Sequence, residues 1–344
     1  MSELTIVTAF FDVGRKDFEI LSRKNEKYLN DFACWARIQN KLIVYTQPQF
    51  QEAIMNIREK FNQGHNTEII VIDDVFAIDQ ELYQSYENIT KTDYLEKYKM
   101  LQGTISANKP KYNYIVLLKF WFLMDAERRG LIDDFAVWLD FGYGHGDFFA
   151  NPAEFDFKWK YDFDRKITLF TCHDVDDTPM FEVIRCSLNY IMSFHVIVPK
   201  ELCRTFWEEV REAAWMLTQM GFMDDDQVVL LAAYKNHPEH YKLIADDWFM
   251  PIVTHGGEHL TLSKDVKTSE TVAEPKGLSK AAGRLLKKSK QNRTGVYGLL
   301  DKYRSYKMSK QKSSLEINCE KYATDCAKRT YEQVYRLYYN DRSH

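Results

Sequence analysis

The stretch that decides the fold is VWLDFGYGHGD, residues 137–147. Its apolar start is typical of a buried strand, and the strand ends at the carboxylate of Asp140. The three glycines that follow indicate a tight loop whose backbone can approach a ligand closely. Asp140 itself is placed either to meet a cation or to cap the turn, and these residues alone leave both interpretations open.

Working outward, strand-like runs alternate with segments of helical period. We predict strands over residues 4–8, 41–46, 68–73, 136–140, 167–172 and 194–198, and helices over residues 17–39, 48–62, 112–129 and 199–220. This alternation predicts an α/β fold with a mainly parallel sheet covered by helices. Ligands of such sheets bind beyond the carboxyl ends of the strands, so the loops after residues 8, 73 and 140 are the candidate sites.

Four residues outside the glycine-rich loop attract attention. Arg15 follows the first predicted strand closely enough to pair with a phosphate. Phe10 and Phe11 precede it, and their rings either stack on a base or belong to the core. Lys119 interrupts an apolar helix, so its ammonium must snorkel to solvent or pair with an acid.

Two later motifs carry acids and a histidine. The run DDDQ, residues 224–227, precedes an apolar helix, where the helix dipole stabilises negative charge. One of these aspartates caps the helix, and another is a candidate general base. His255 lies beside two glycines and is either a metal ligand or an ordinary surface residue.

Four segments, in their order along the chain, resemble the HtrL/YibB family of bacterial surface-polysaccharide proteins and the wider GT-A glycosyltransferases. They are IVTAFFDVGR (6–15), LKFW (118–121), WLDFGY (138–143) and DDDQVVL (224–230). The similarity extends from residue 5 to about residue 259. It implies a GT-A-like, Rossmann-like fold with a mixed, mainly parallel sheet flanked by helices. Gly142 departs from the pattern, because it stands where the second aspartate of Asp-x-Asp is expected.

The resemblance also implies roles for individual residues. The implied nucleotide-sugar contacts are Thr8, Ala9, Phe10, Arg15, Asp73, Lys119, Asp140, Gly142 and Gln227. Asp226 is the first choice for the catalytic base and Asp225 the second. Asp140 and His255 are the implied ligands of Mn²⁺ or Mg²⁺, although Gly142 weakens the expectation of metal dependence.

The implied activity is transfer of a hexose from a nucleotide-sugar donor, expected to be a UDP-sugar, to a lipopolysaccharide or capsule acceptor. One alternative is a phosphotransferase or nucleotidyltransferase that uses Asp73, Asp74 and Asp140 around a metal. Another is a non-catalytic scaffold for envelope biosynthesis.

A change of composition predicts the domain organisation. Residues 1–262 form the expected catalytic domain, and residues 263–344 a linker with a C-terminal helical appendage. Within that appendage, residues 276–312 carry twelve basic residues and one acid, although the whole chain has a net charge of -4. The pattern predicts amphipathic helices that bind an anionic membrane surface or pack on the catalytic domain. The acidic remainder argues against a nucleic-acid partner.

The remaining sequence features favour a cytoplasmic protein, with peripheral attachment to the inner face of the membrane through the basic segment. The first residues lack a basic region followed by an apolar stretch, so we expect no signal peptide. No apolar run reaches the length of a membrane span. We expect free thiols at all six cysteines, which are Cys34, Cys172, Cys186, Cys203, Cys319 and Cys326.

Overall fold

The computed structural model describes residues 2–15, 23–100 and 109–263. The predicted basic helices over residues 276–312, the rest of the predicted appendage, Cys319 and Cys326 lie outside these residues. The four cysteines within them are not joined by disulfides. None of the helices in the described ranges is both long enough and apolar enough to span a bilayer.

Seven strands form one sheet within the described residues. They are β1 (Leu4–Phe10), β2 (Leu42–Thr46), β3 (Thr67–Val71), β4 (Phe135–Leu139), β5 (Ile167–Thr171), β6 (Ile191–Pro199) and β7 (Tyr241–Ala245). Their order is β3-β2-β1-β4-β6-β5-β7. Strand β6 is antiparallel to both neighbours, and all other neighbouring pairs are parallel. The expected α/β class with a mixed, mainly parallel sheet is confirmed; β7 was not predicted.

Helices cover both faces of the sheet. They are α1 (Asn25–Trp35), α2 (Gln51–Glu59), α3 (Gln80–Ile89), α4 (Tyr94–Tyr98), α5 (Pro110–Arg128), α6 (Met180–Cys186), α7 (Cys203–Gln219), α8 (Asp226–Asn236) and α9 (Pro251–Thr254). Helix α5 begins at a proline, which is favoured in the first turn because its missing N–H has no helical partner there. Helix α7 begins four residues later than predicted, because residues 200–202 form a 3₁₀ turn.

The alternation of side chains along the strands divides the interior into two cores. Val7 and Phe11 of the first strand segment belong to one core, and Ile6 and Phe10 to the other. We call the side covered by α3, α5, α7 and α8 the α5 face, and the side covered by α1, α2 and α9 the α1 face. Each fully buried Leu or Phe stabilises these cores by roughly 1.5–3 kcal/mol. The two cores therefore hold the sheet and its covering helices together.

The carboxyl ends of β1 and β4 meet at one edge of the sheet, where antiparallel β6 begins. The loops after Phe10 and Leu139 consequently lie beside the first residues of β6. Helices α5 and α8 pack against the same region from the α5 face. This carboxyl edge is therefore bordered by the two loops, by β6 and by helices α5 and α8.

Candidate active site at the carboxyl edge of the sheet

A buried lysine lies between two aspartates at this edge. Lys119 Nζ is 2.9 Å from Asp140 Oδ1 and 2.7 Å from Asp226 Oδ2. The three side chains come from α5, from the loop after β4 and from the first turn of α8. Their exposed fractions are 10%, 35% and 5% respectively, so Asp140 is the member most open to solvent. The sequence left snorkelling and pairing open for Lys119, and the structure shows pairing.

Asp140 is held by its own strand. Trp138 Nε1 donates a 2.7 Å hydrogen bond to the same Oδ1 that contacts Lys119. The backbone of Asp140 is fixed at both ends, because its N–H donates to Phe194 O and its carbonyl accepts from Tyr143 N–H. The carboxylate thus contacts an indole and an ammonium.

A β-bulge brings a further residue to Asp226. Leu169 of β5 pairs with Val196, but the next residue, Phe170, pairs with Met192. Three extra residues, 193–195, are therefore accommodated on β6, and bulges of this kind change the direction in which side chains point. The buried Ser193 forms a side-chain hydrogen bond with Asp226. Sequence reasoning missed Ser193, because the pairing register that creates the bulge is not visible in one strand.

The electrostatics of the cluster keep Lys119 charged. Burial lowers the pKa of Lys119, but the Asp140 and Asp226 carboxylates raise it more, and the net shift is upward. Burial raises the pKa of Asp226, and Lys119 opposes that shift without cancelling it. The cluster therefore holds one ammonium against two carboxyl groups.

The two aspartates before Asp226 have structural partners. Asp225 caps α8, because its Oδ1 accepts from the N–H groups of Gln227 and Val228 at 3.2 and 3.4 Å. Asp224 Oδ2 lies 2.7 Å from Lys99 Nζ, with side chains 2% and 0% exposed. Burial, followed by the charges of Asp224 and Asp226, raises the pKa of Asp225 to about 8. The sequence around Lys99 has no feature that marks this buried pair.

Several other predicted contacts lie near the cluster. Arg15 stacks on Tyr112 with its Cζ atom 4.8 Å from the ring centroid, and Tyr112 precedes Lys119 by two turns of α5. Gln227 follows Asp226 in the first turn of α8. A Cβ atom at Gly142 would lie 3.3 Å from the ring of Tyr28, so a second aspartate at this position would crowd α1.

The residues predicted after β1 and β3 are placed differently. Phe10 is 5% exposed and stacks on Phe141, and Phe11 is 8% exposed and stacks on Phe122. Both rings belong to the cores, which was the alternative left open, and Thr8 is fully buried beside half-buried Ala9. Asp73 is exposed after β3, which is separated from β4 by two strands. At about 4.8 Å per strand, that separation is roughly 14 Å.

The predicted metal ligands are not brought together. His255 packs among the rings of Tyr161 and Phe170 on the α1 face, and its Nδ1 lies 3.0 Å from Pro251 O. Asp140 instead contacts the lysine of the α5 face. In the ranges that the structure describes, no three His, Cys, Asp or Glu side chains are grouped as metal ligands. With Lys119 already between the carboxylates, these residues do not fit a resident Mn²⁺ or Mg²⁺ ion.

The fold and the cluster define an α/β protein with a charged candidate active site at the carboxyl edge of its sheet. The chain belongs to the HtrL/YibB family, since the family model described as "Bacterial protein of unknown function (HtrL_YibB)" matches residues 2–253. Protein HtrL of Escherichia coli (strain K12) is 26% identical over 259 residues, which cover 70% of this chain and 87% of that protein.

Among solved structures, the apo form of mouse xyloside xylosyltransferase 1 is similar with a TM-score of 0.38 and 10% identity. The match covers 71% of this chain and 85% of that one. At this level of similarity, the functional argument depends on the residues of the site.

Proposed function

We propose that this protein is a glycosyltransferase that moves a hexose from a nucleotide-sugar donor, expected to be a UDP-sugar, to a surface-polysaccharide acceptor. The observation that carries the proposal is the placement of Lys119 between Asp140 and Asp226 at the carboxyl edge. Attachment to the inner face of the membrane through residues 276–312 belongs to the same proposal and rests on the sequence pattern alone.

The cluster has the chemistry that a sugar ring requires. Each sugar hydroxyl both donates and accepts hydrogen bonds, and the cluster offers two carboxylates that accept and one ammonium that donates. Asp140 is the partly exposed member, so a ligand reaches the group from its side. Because the side chains hold one another, they are oriented before the ligand arrives, which favours binding.

In the proposed reaction, an acceptor hydroxyl oxygen bonds to the anomeric carbon of the donor. The bond from that carbon to the phosphate oxygen breaks, and the nucleoside diphosphate leaves with the electron pair. The hydroxyl proton passes to a carboxylate. Asp226 is the stronger candidate for this base, because burial raises its pKa and so makes its carboxylate a better proton acceptor, with Lys119 limiting that rise, whereas Asp225 is engaged as the cap of α8.

The test is nucleotide release in the presence of glycan acceptors, measured as nucleoside diphosphate from UDP-, GDP- and TDP-sugars and as CMP from CMP-sugars. We expect one donor class to be consumed by the full chain. Asp226→Asn should lower the rate about 100-fold or more, as loss of a general base does. The matched control is Asp147→Asn, an exposed carboxylate in the loop after Asp140. Equal rates for Asp226→Asn and the parent protein would exclude the proposed base.

The same assay separates the alternatives. A nucleotidyltransferase would release pyrophosphate instead, and two strands lie between β3, which Asp73 and Asp74 follow, and β4, which Asp140 follows. A non-catalytic scaffold would consume no donor, and its partner binding would survive Asp226→Asn.

A further inference from the structure

The candidate site has two carboxyl groups and one ammonium, and a bound diphosphate there would need further positive charge. Lys119 is offset by two carboxylates, so it adds no net positive charge for an anion. The described residues also do not fit a resident divalent ion. A diphosphate at this edge therefore needs cations from other elements.

Arg23 is such a cation, and it stands directly before α1. Its Nη1 atom lies 2.9 Å from Nδ1 of His145, in the loop that follows Asp140. Among the described residues, no carboxylate lies within ion-pair distance of the Arg23 guanidinium. By contrast, the neighbouring Lys27 pairs with Asp31 at 3.0 Å. Arg23 therefore forms no ion pair of its own among these residues, although its charge also acts on the nearby Asp31 carboxylate.

His145 holds Arg23 without competing for the anion. Burial, together with the charge of Arg23, lowers the pKa of His145 to about 4, so the imidazole is neutral near pH 7 and can accept from Arg23. The loop itself is held in place, since Lys27 Nζ donates to the carbonyl of His145 at 2.9 Å. The loop also favours glycine at position 144, because φ is 70° there and a Cβ atom would lie 2.9 Å from Phe149.

Arg23 also lies close to the other residues of the edge. His145 belongs to the loop that follows Asp140, and the charges of Arg23 and Asp140 shift its pKa in opposite directions. The N–H of Arg23 donates to the carbonyl of Arg15 at 3.4 Å, and Arg15 stacks on Tyr112 of α5. Arg23 is thus linked to the loop after Asp140 through His145, and to α5 through Arg15 and Tyr112.

We propose that Arg23, oriented by His145 and accompanied by Arg15, binds the diphosphate of the donor by direct ion pairing, without a divalent cation. The inference rests on the proposed function for the identity of the ligand. Its physical basis is the fork of guanidinium N–H donors, which matches two phosphate oxygens better than a lysine does.

The experiment is calorimetric titration of the full chain with UDP, inorganic pyrophosphate and orthophosphate, in EDTA and again with Mn²⁺. We expect UDP and pyrophosphate to bind in EDTA and orthophosphate to bind more weakly. Arg23→Met should weaken UDP and pyrophosphate at least 10-fold, and Arg23→Lys should recover part of the loss. Lys24→Met, which removes an exposed adjacent cation, should leave both affinities unchanged.

Melting temperatures show whether each variant remains folded. If Arg23→Met does not fold, Arg23→Lys is the second variant. Unchanged affinity in Arg23→Met, binding that requires Mn²⁺, or no binding of either diphosphate by the parent protein would overturn the inference. If Arg23 is required for pyrophosphate but no nucleotide-sugar is consumed, the anion site stands and the proposed glycosyltransferase activity fails.

Discussion

The two faces of the sheet bury titratable side chains in opposite ways. On the α5 face, Lys99 and Asp224 are paired, and Lys119 joins Asp140 and Asp226. On the α1 face, His195 is surrounded by the rings of Trp159 and Phe170. In the described part of the chain neither ring nitrogen of His195 has a hydrogen-bond partner.

The two faces thus reduce the free-energy cost of burying a charge in two different ways. The α5 face keeps its charges and offsets them with opposite charges at short distance. The α1 face removes the charge, since burial, followed by the charge of His255, lowers the pKa of His195 to about 3. A site that must orient polar ligands needs the first solution, which is why we place it on the α5 side of the carboxyl edge.

The largest effect should follow from breaking the buried pair of the α5 face. Lys99→Met leaves the carboxylate of Asp224 buried without its ammonium, and we expect a loss of about 3 kcal/mol in the free energy of unfolding. The measurement is urea unfolding at pH 7. The double variant Lys99→Met/Asp224→Asn removes both charges and should recover much of the loss. A double variant no more stable than the single one would show that packing, not charge, makes Lys99 important.

A smaller effect on the free energy of unfolding should follow from Asp225→Asn, which removes the ionisable group. Since its folded pKa is about 8, the unfolded chain releases this proton between pH 4 and pH 8 while the folded chain retains it. Asp225 therefore lowers stability as the pH rises through that window. Asp225→Asn keeps a capping acceptor but does not titrate.

Relative to the parent protein, Asp225→Asn should gain about 2 kcal/mol between pH 5 and pH 6.5. Unfolding at the two pH values measures the gain, with the exposed Asp147→Asn as control. The same stability difference at both pH values would contradict the raised pKa.

The smallest of these effects on stability comes from His195 on the α1 face. Its dependence on pH is opposite in sign to that of Asp225. The folded pKa of His195 is about 3, so only the unfolded chain takes up this proton as the pH falls below about 6.5. The stability that neutral His195 allows is complete above pH 6.5 and is lost towards pH 3.

His195→Leu removes this titration, and the variant should gain about 1.4 kcal/mol over the parent between pH 7 and pH 5.5. The measurement is again urea unfolding, with the exposed His65→Leu as control. A parent protein whose acid sensitivity is unchanged by His195→Leu would remove the contrast between the two faces.

The sequence predicted the main strands because hydrophobic and β-branched runs are local signals. All six predicted strands are present, whereas β7 was missed, since its apolar run is short and Lys242 interrupts it. The helical periods of α5 and α7 were also recognised. The beginning of α7 was displaced, because a proline followed by a 3₁₀ turn has nearly the same pattern as a helix start.

The candidate site was predicted in part. The pattern around Lys119 required a partner, but pairing with Asp140 and Asp226 depends on how α5, β4 and α8 meet. Ser193, Lys99 and Arg23 were missed for the same reason, since none stands in a distinctive local motif. His255 had a plausible motif, yet it packs on the other face of the sheet.

What the sequence determined by itself was the α/β class, the order of most elements and the edge of the sheet where polar residues collect. These features follow from periodicity and from short-range turn chemistry, which act over neighbouring residues. Only the tertiary structure decided which acid meets which base. Electrostatic pairing depends on distances between residues far apart along the chain, and burial then determines whether each group remains charged.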